Sequence, residues 1–199
     1  MNTPFTFTHE NHEFTINNTK KVGPRLLGMS ENKIFTDGNK HFKNHGNELY
    51  EVLDFTIQDN GKLIEKDNYN FDTTIRLGAV ILCKDQVLLI HRIKKSDEYY
   101  VYPGGHLKTN ESVIDGLNRE IFEETGIDIL GYKRELLYEG NQKGFGHEEY
   151  YLIKLDEFPD FMNESNPEDT QDKSILGWFD FKLAKSLEKL YPIEIINLI

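Results

Sequence analysis

Three glutamates, Glu120, Glu123 and Glu124, crowd into five residues near the end of GGHLKTNESVIDGLNREIFEETG, residues 104–126. On a helix turning about 100° per residue, Glu120 and Glu124 lie one turn apart and Glu123 sits beside both. Val113, Leu117 and Ile121 line up as the buried face, with Ile114 next to them. The carboxylates overlap the edge of that stripe, away from the most solvated side. Like charges at this spacing destabilise a helix, and partial burial adds to the cost. Arg119 points to another side of the helix on this reading, so the cluster calls for a further positive partner. A hard divalent cation such as Mg²⁺ or Mn²⁺ prefers carboxylate oxygen and fits that need.

The elements that position these acids are specified locally. Ser112 is a good N-cap, and Asp115 three places later completes a capping signature. Gly126 suits the left-handed residue that ends a helix. The predicted helix therefore runs over 112–125. Gly104 and Gly105 follow the strand-like YYVYP, where the chain must turn sharply and approach a ligand closely. A backbone carbonyl from that turn is a candidate metal ligand. Glu111 stands just before the helix, and an ion pair with Arg119 would tie loop to helix.

The full spacing is G-x5-E-x7-R-E-U-x-E-E-x-G-U, with U aliphatic, from Gly105 to Ile127. This resembles the Nudix box, with every defining position filled. The resemblance covers residues 73–199 and implies an α/β/α sandwich on a mixed β-sheet. It also implies hydrolysis within the pyrophosphate of a nucleoside diphosphate linked to another moiety, with Mg²⁺ or Mn²⁺. The linked compound would be a nucleotide sugar, ADP-ribose or a nucleoside triphosphate. Carried over by position, Glu120, Glu123 and Glu124 are expected metal ligands, joined by the carbonyl of Gly105. Glu111 and Arg119 are expected to orient them. The general base is a box glutamate or a loop carboxylate, with Glu164 and Glu168 as loop candidates and Glu148 and Glu149 behind them. Each of these four taken alone reads first as a solvated charge.

Outside the box, Arg92 and Arg76 are candidates to grip a phosphate, with Arg134 a weaker one. Tyr102 and Tyr150 are candidates to stack on a base, although strand tyrosines more often pack in a core. His106 takes a place where many family members have glycine or lysine. No proline follows the box where ADP-ribose hydrolases carry one, and no other subfamily marker is present. A rival reading is a Nudix-fold sensor that binds a nucleotide without hydrolysing it. Such modules usually lose box glutamates, and none is lost here.

The rest of the chain sets limits. Of 199 residues, 38% are hydrophobic, enough for a real core, and the net charge of −11 makes general nucleic-acid binding a poor expectation. No stretch approaches a membrane span, and the start lacks a secretory pattern. Cys83, the one cysteine, reads as a small buried hydrophobe, so the cytoplasm is the expected compartment. Residues 1–72 read as an N-terminal β-rich extension before the Nudix-like domain 73–199. Its role is open between a dimerisation arm, which would make a homodimer, a lid and a small β-domain. Within it, residues 48–66 suggest a hairpin around Asp59-Asn60-Gly61. Residues 20–47 are dense in turn formers and read as loop, and His41 and His45 do not make a metal site. Strands are expected at 74–82, 86–93, 98–103, 132–140, 148–155 and 174–181, a second helix at 181–190, and a final helix from Pro192.

Overall fold

A computed structural model describes residues 4–66, 69–142, 146–160 and 173–199, without the side chain of Gln142. Glu164 and Glu168 lie outside the described residues. The chain divides into two compact units. One comprises Met1–Ile75, His106–Glu111 and Asn141–His147; the other comprises Arg76–Gly105, Ser112–Gly140 and Glu148–Ile199.

The first unit is all β. Strands β1 (Phe5–His9) and β2 (His12–Pro24) form a hairpin, and β2 pairs antiparallel with β5 (Glu48–Asp59). The short β3 (Phe35–Thr36) and β4 (His41–His45) complete the order β1-β2-β5-β4-β3, and β3 runs parallel to the start of β7 (Asp72–Cys83). The hairpin expected at Asn60-Gly61 is present, with φ of 48° and 80°, and joins β5 to β6 (Lys62–Ile64). These positive angles match the twist of a tight two-residue turn. Phe14, Ile16, Ile34, Val52, Phe55, Ile57 and Phe71 make the core.

The loop expected over 20–47 is corrected here: β2 runs on to Pro24, and β3 and β4 lie within it. The turn formers of the stretch misled, because three of its polar residues, Thr36, Lys43 and Asn44, are buried in strands. Asn44 is fully buried and binds the chain at Leu26 and Met29, donating to both carbonyls at 2.8 and 3.1 Å and accepting from the Leu26 N–H at 3.0 Å. Lys43 is also buried, with its Nζ donating to the Glu31 carbonyl and lying 4.3 Å from the centre of the Phe7 ring.

The second unit is the α/β/α sandwich with a mixed sheet. Strand β8 (Gln86–Lys94) pairs with β7, with β9 (Asp97–Val101) and with β13 (Lys173–Asp180), all antiparallel, while β14 (Leu190–Tyr191) runs parallel to β9. Strands β10 (Gly104–Lys108) and β12 (Gly146–Leu155) pair with β7, and β11 (Arg134–Gln142) pairs with β12. Helix α1 (Val113–Thr125) buries Leu117 and Ile121. Val80, Val87, Leu89, Tyr102, Tyr150 and Leu152 pack with Ala184 of α2 (Phe181–Ala184) and with Ile195 and Ile196 of α3 (Ile193–Ile196). Residues 77–81 of β7 are buried in succession, and successive side chains of a strand face opposite sides, so that strand is buried on both faces.

Three expectations change here. The second helix ends at Ala184, and Leu183 is exposed, so the leucines at 183, 187 and 190 do not form one buried stripe. Its cap is as expected: Asp180 accepts from the N–H groups of Lys182 and Leu183. The glycine pair expected as a turn opens the strand β10. Ile114 is exposed on α1, and the buried residues of the helix are Gly116, Leu117, Ile121 and Thr125. Cys83 is fully buried, as expected of a small hydrophobe. Among the described residues no helix is long and apolar enough to cross a membrane.

Candidate active site

The site grows from the two ends of α1. At its start the Ser112 hydroxyl accepts from the Asp115 N–H at 3.1 Å and donates to the Asp115 carboxylate at 2.6 Å. At its end Gly126 takes φ 75° and its N–H reaches the Phe122 carbonyl at 2.8 Å. With both ends fixed, the last two turns hold Glu120, Glu123 and Glu124 in a set phase.

Glu124 is held on both oxygens. Its Oε2 accepts from the Gly104 N–H at 2.8 Å, and its Oε1 accepts from Arg92 Nη2 at 3.1 Å. Arg92 in turn donates through Nη1 to the Ser174 hydroxyl at 2.8 Å, across the β8–β13 pair where the two residues are register partners. Burial pushes the Glu124 carboxyl above the usual range, opposed by the Gly104 amide and by Arg92 and Arg76. Glu120 is similarly raised by burial, opposed by Arg119. Its carboxylate lies against Gly105: a Cβ on that glycine would fall 2.1 Å from Glu120 Oε2.

Arg119 does not point away from the acids, contrary to the helical-wheel expectation. Its Nη1 donates to Glu120 Oε1 at 2.7 Å and reaches Glu123 Oε2 at 3.4 Å, one turn on. A long, flexible side chain bends along the helix surface, which a wheel drawn from Cβ directions misses. Glu123 is 57% exposed, whereas Glu120 and Glu124 are 16% and 25% exposed, so the acids do not share one environment. Glu111 belongs to the first unit and accepts from the Lys108 N–H at 2.9 Å.

The structure thus brings Gly105, Glu120, Glu123, Glu124, Arg119 and Arg92 into one group in the second unit. Arg76 adds its charge from the start of β7. Burial opposes that charge, and Tyr150, Glu124 and Glu148 outweigh the opposition. Glu148 is itself buried, 3% exposed, and burial pushes its carboxyl up while Arg76 pulls it back. Glu149 accepts from the Tyr151 hydroxyl. Arg134 caps carbonyls, donating to Ile129 O at 2.9 Å. Tyr102 and Tyr150 are buried and pack edge to face with centroids 5.8 Å apart, the commoner fate of strand tyrosines. In the first unit, His106 lies near Phe35, and the His41 ring packs on Phe55 and Phe71. Sequence reasoning missed Ser174. Its signal was the register of β13 against β8, which the strand pattern alone does not supply.

The donors suit a hard cation. Glu120 and Glu124 offer carboxylate oxygens in partly buried positions where their charge is only partly offset, and the absence of a side chain at Gly105 lets the Glu120 carboxylate lie directly against that backbone.

A family model described as NUDIX domain matches residues 73–195. No curated protein matches the chain. Similar solved structures include a MutT protein from Methanosarcina mazei Go1, 21% identical over 62% of this chain and 89% of that one, with a TM-score of 0.47. Another is the mutator MutT protein from Bacillus halodurans, 20% identical over 62% and 78%, with a TM-score of 0.44. A third is the dihydroneopterin triphosphate pyrophosphohydrolase of E. coli, 16% identical over 63% and 94%, with a TM-score of 0.47.

Proposed function

The chain belongs to the NUDIX family, and from that premise we propose that it is a divalent-metal-dependent pyrophosphohydrolase. Its substrate is a nucleoside diphosphate linked to another moiety, of the nucleotide-sugar, ADP-ribose or nucleoside-triphosphate type. The observation that carries this reading is the pair Glu120 and Glu124, two partly buried carboxylates at the end of a doubly capped helix, facing Gly105 and the Gly104 N–H.

Glu120, Glu123 and Glu124, with the Gly105 carbonyl, would hold Mg²⁺ or Mn²⁺. Bound there, the ion would supply charge neutralisation at the phosphates and a more acidic water. The Gly104 N–H fixes the rotation of the Glu124 carboxylate. Arg119 holds Glu120 against the helix, and Glu111 orders the loop before it through the Lys108 N–H. Arg92 and Arg76 carry the positive charge that attracts the phosphates. A carboxylate accepts the proton of the attacking water, and burial at Glu120 and Glu124 strengthens that basicity. The base is a box glutamate or one of Glu164 and Glu168. The protein acts in the cytoplasm on a small-molecule nucleotide, and residues 1–72 serve as a β-rich extension that supports a homodimer.

The test is a hydrolysis screen of the purified protein against nucleotide sugars, ADP-ribose, NADH, dinucleoside polyphosphates and nucleoside triphosphates with Mg²⁺ or Mn²⁺. Glu124→Gln is expected to lower turnover by about 10²-fold or more, as loss of a group acting on the transition state does. Full activity in that variant refutes the site. Nucleotide binding without turnover in the wild type refutes the enzyme and supports a sensor.

A further inference from the structure

Glu124 has no idle oxygen. Oε2 takes the Gly104 N–H at 2.8 Å and Oε1 takes Arg92 Nη2 at 3.1 Å, while the other branch of the same guanidinium is bound to Ser174 Oγ at 2.8 Å. These three bonds respond differently to an incoming cation. The Gly104 amide and the Ser174 hydroxyl are neutral and feel little repulsion from it. The guanidinium carries a full charge, and a divalent ion about 2 Å from a carboxylate oxygen would stand close beside it. Only the Arg92–Glu124 bond is therefore weakened by metal. Arg92 and Glu124 are 35% and 25% exposed, so water screens that repulsion only in part.

We propose that Arg92 is a displaceable counter-ion of Glu124. It neutralises Glu124 in the metal-free protein and yields Oε1 when the metal enters. Ser174 positions it, keeping the freed guanidinium at the site. This inference rests on the metal site proposed above. It adds that Arg92 competes with the metal, and that the arginine becomes available to an anionic substrate only after the metal has bound. A purely structural ion pair would behave in the opposite way, since its loss would leave Glu124 disordered and the metal more weakly held.

The experiment is a Mn²⁺ titration of the full chain, read by calorimetry and by the loss of the free-ion electron paramagnetic resonance signal. Wild type, Arg92→Gln, Arg92→Lys and Glu124→Gln are compared. Removing the competing charge is expected to tighten Mn²⁺ binding in Arg92→Gln by about three- to tenfold. Arg92→Lys, which keeps the charge, should stay within about twofold of wild type on the same ground. In the wild type, the Arg92 Nε–H signal in ¹⁵N spectra should move during an Mg²⁺ titration and saturate with the calorimetric curve, with Arg92→Lys providing the assignment. Equal or weaker binding in Arg92→Gln overturns the proposal, as does an Arg92 signal that ignores Mg²⁺. Should Arg92→Gln fail to fold, the wild-type spectra decide alone. Absence of metal binding by the wild type, with no change in Glu124→Gln, overturns the metal site itself.

Discussion

Replacing Gly105 by alanine should separate the site from the fold. The new Cβ would lie 2.1 Å from Glu120 Oε2 and 2.4 Å from its Cδ. Ordinary C···O contacts are about 3.3 Å, so the carboxylate must retreat by about 1.2 Å. The obstruction is the far end of a flexible side chain, and it can swing away at the expense of its bond to Arg119. The unfolded chain loses freedom on Gly→Ala, which favours folding by up to about 1 kcal/mol and offsets part of that loss. Net stability should change by no more than about 1 kcal/mol, while misplacement of a catalytic group by ~1 Å costs about 10²-fold in rate. Gly104→Ala is the contrast. Its Cβ would meet the Leu77 carbonyl at 2.1 Å and the Gly78 Cα at 2.8 Å, both backbone, from a φ of 146°. Nothing there can swing aside, and strain plus overpacking should cost about 3–5 kcal/mol. Urea denaturation paired with turnover or Mn²⁺ affinity distinguishes the two. A Gly105→Ala protein as active as wild type, or as unstable as Gly104→Ala, refutes the reasoning.

Three further outcomes follow from the geometry. Ser112→Ala removes the N-cap of α1 and should cost about 1 kcal/mol in denaturant unfolding; no loss would mean that the helix start is held by packing alone. Asn44→Ala strips three bonds from a fully buried amide and should cost about 3 kcal/mol, and a loss below 1 kcal/mol would show that the Leu26–Met29 turn finds other partners. Burial pushes the Lys43 ammonium down to about 8 from 10.5. Between those pH values the unfolded chain still holds a proton that the folded chain has released, so folding gains with rising pH there and carries the full penalty below about 8. Wild type should therefore gain about 1–3 kcal/mol relative to Lys43→Met across that window, less than the full shift because the Glu31 carbonyl and the Phe7 ring favour the charged form. A flat difference curve would contradict this.

The helix α1 was legible because its signals are local. Ser112, Asp115 and Gly126 act on backbone groups within four residues, and no distant contact is needed to read them. The hairpin at Asn60-Gly61 was legible for the same reason. What failed depends on contacts remote in sequence. Turn formers make the stretch 20–47 look like loop, yet Lys43 and Asn44 within it are buried, with the carbonyls of Leu26, Met29 and Glu31 as partners. Ser174 is 82 residues from Arg92, and only the register of β13 on β8 brings them together. The short α2 failed by a different route: leucines at helical spacing suggested a continuous stripe, but the chain leaves the helix so that Leu190 can enter β14, where it is fully buried. Spacing reports which face a helix would bury, and it cannot report where the helix stops when a neighbouring strand offers a better place.

The three crowded glutamates pose different physical problems. Glu123 is largely exposed and has Arg119 within one turn, so water and one arginine suffice for it. The cost falls on Glu120 and Glu124, where burial disfavours the charge; Glu120 shares Arg119 with Glu123, and Glu124 has Arg92. The crowding of acids read from the sequence is thus already half-neutralised before any metal arrives. That changes what the cluster is suited to. A bare triple carboxylate would grip a divalent ion tightly and release it slowly. A set whose acids are paired with guanidinium groups would hold the same ion against competition, and would exchange it more readily. The Gly104 N–H carries no net charge and can bind Glu124 in both states. On the proposed metal site, geometry would be held by the neutral donor and affinity set by the charged one, a division of roles that composition alone does not reveal.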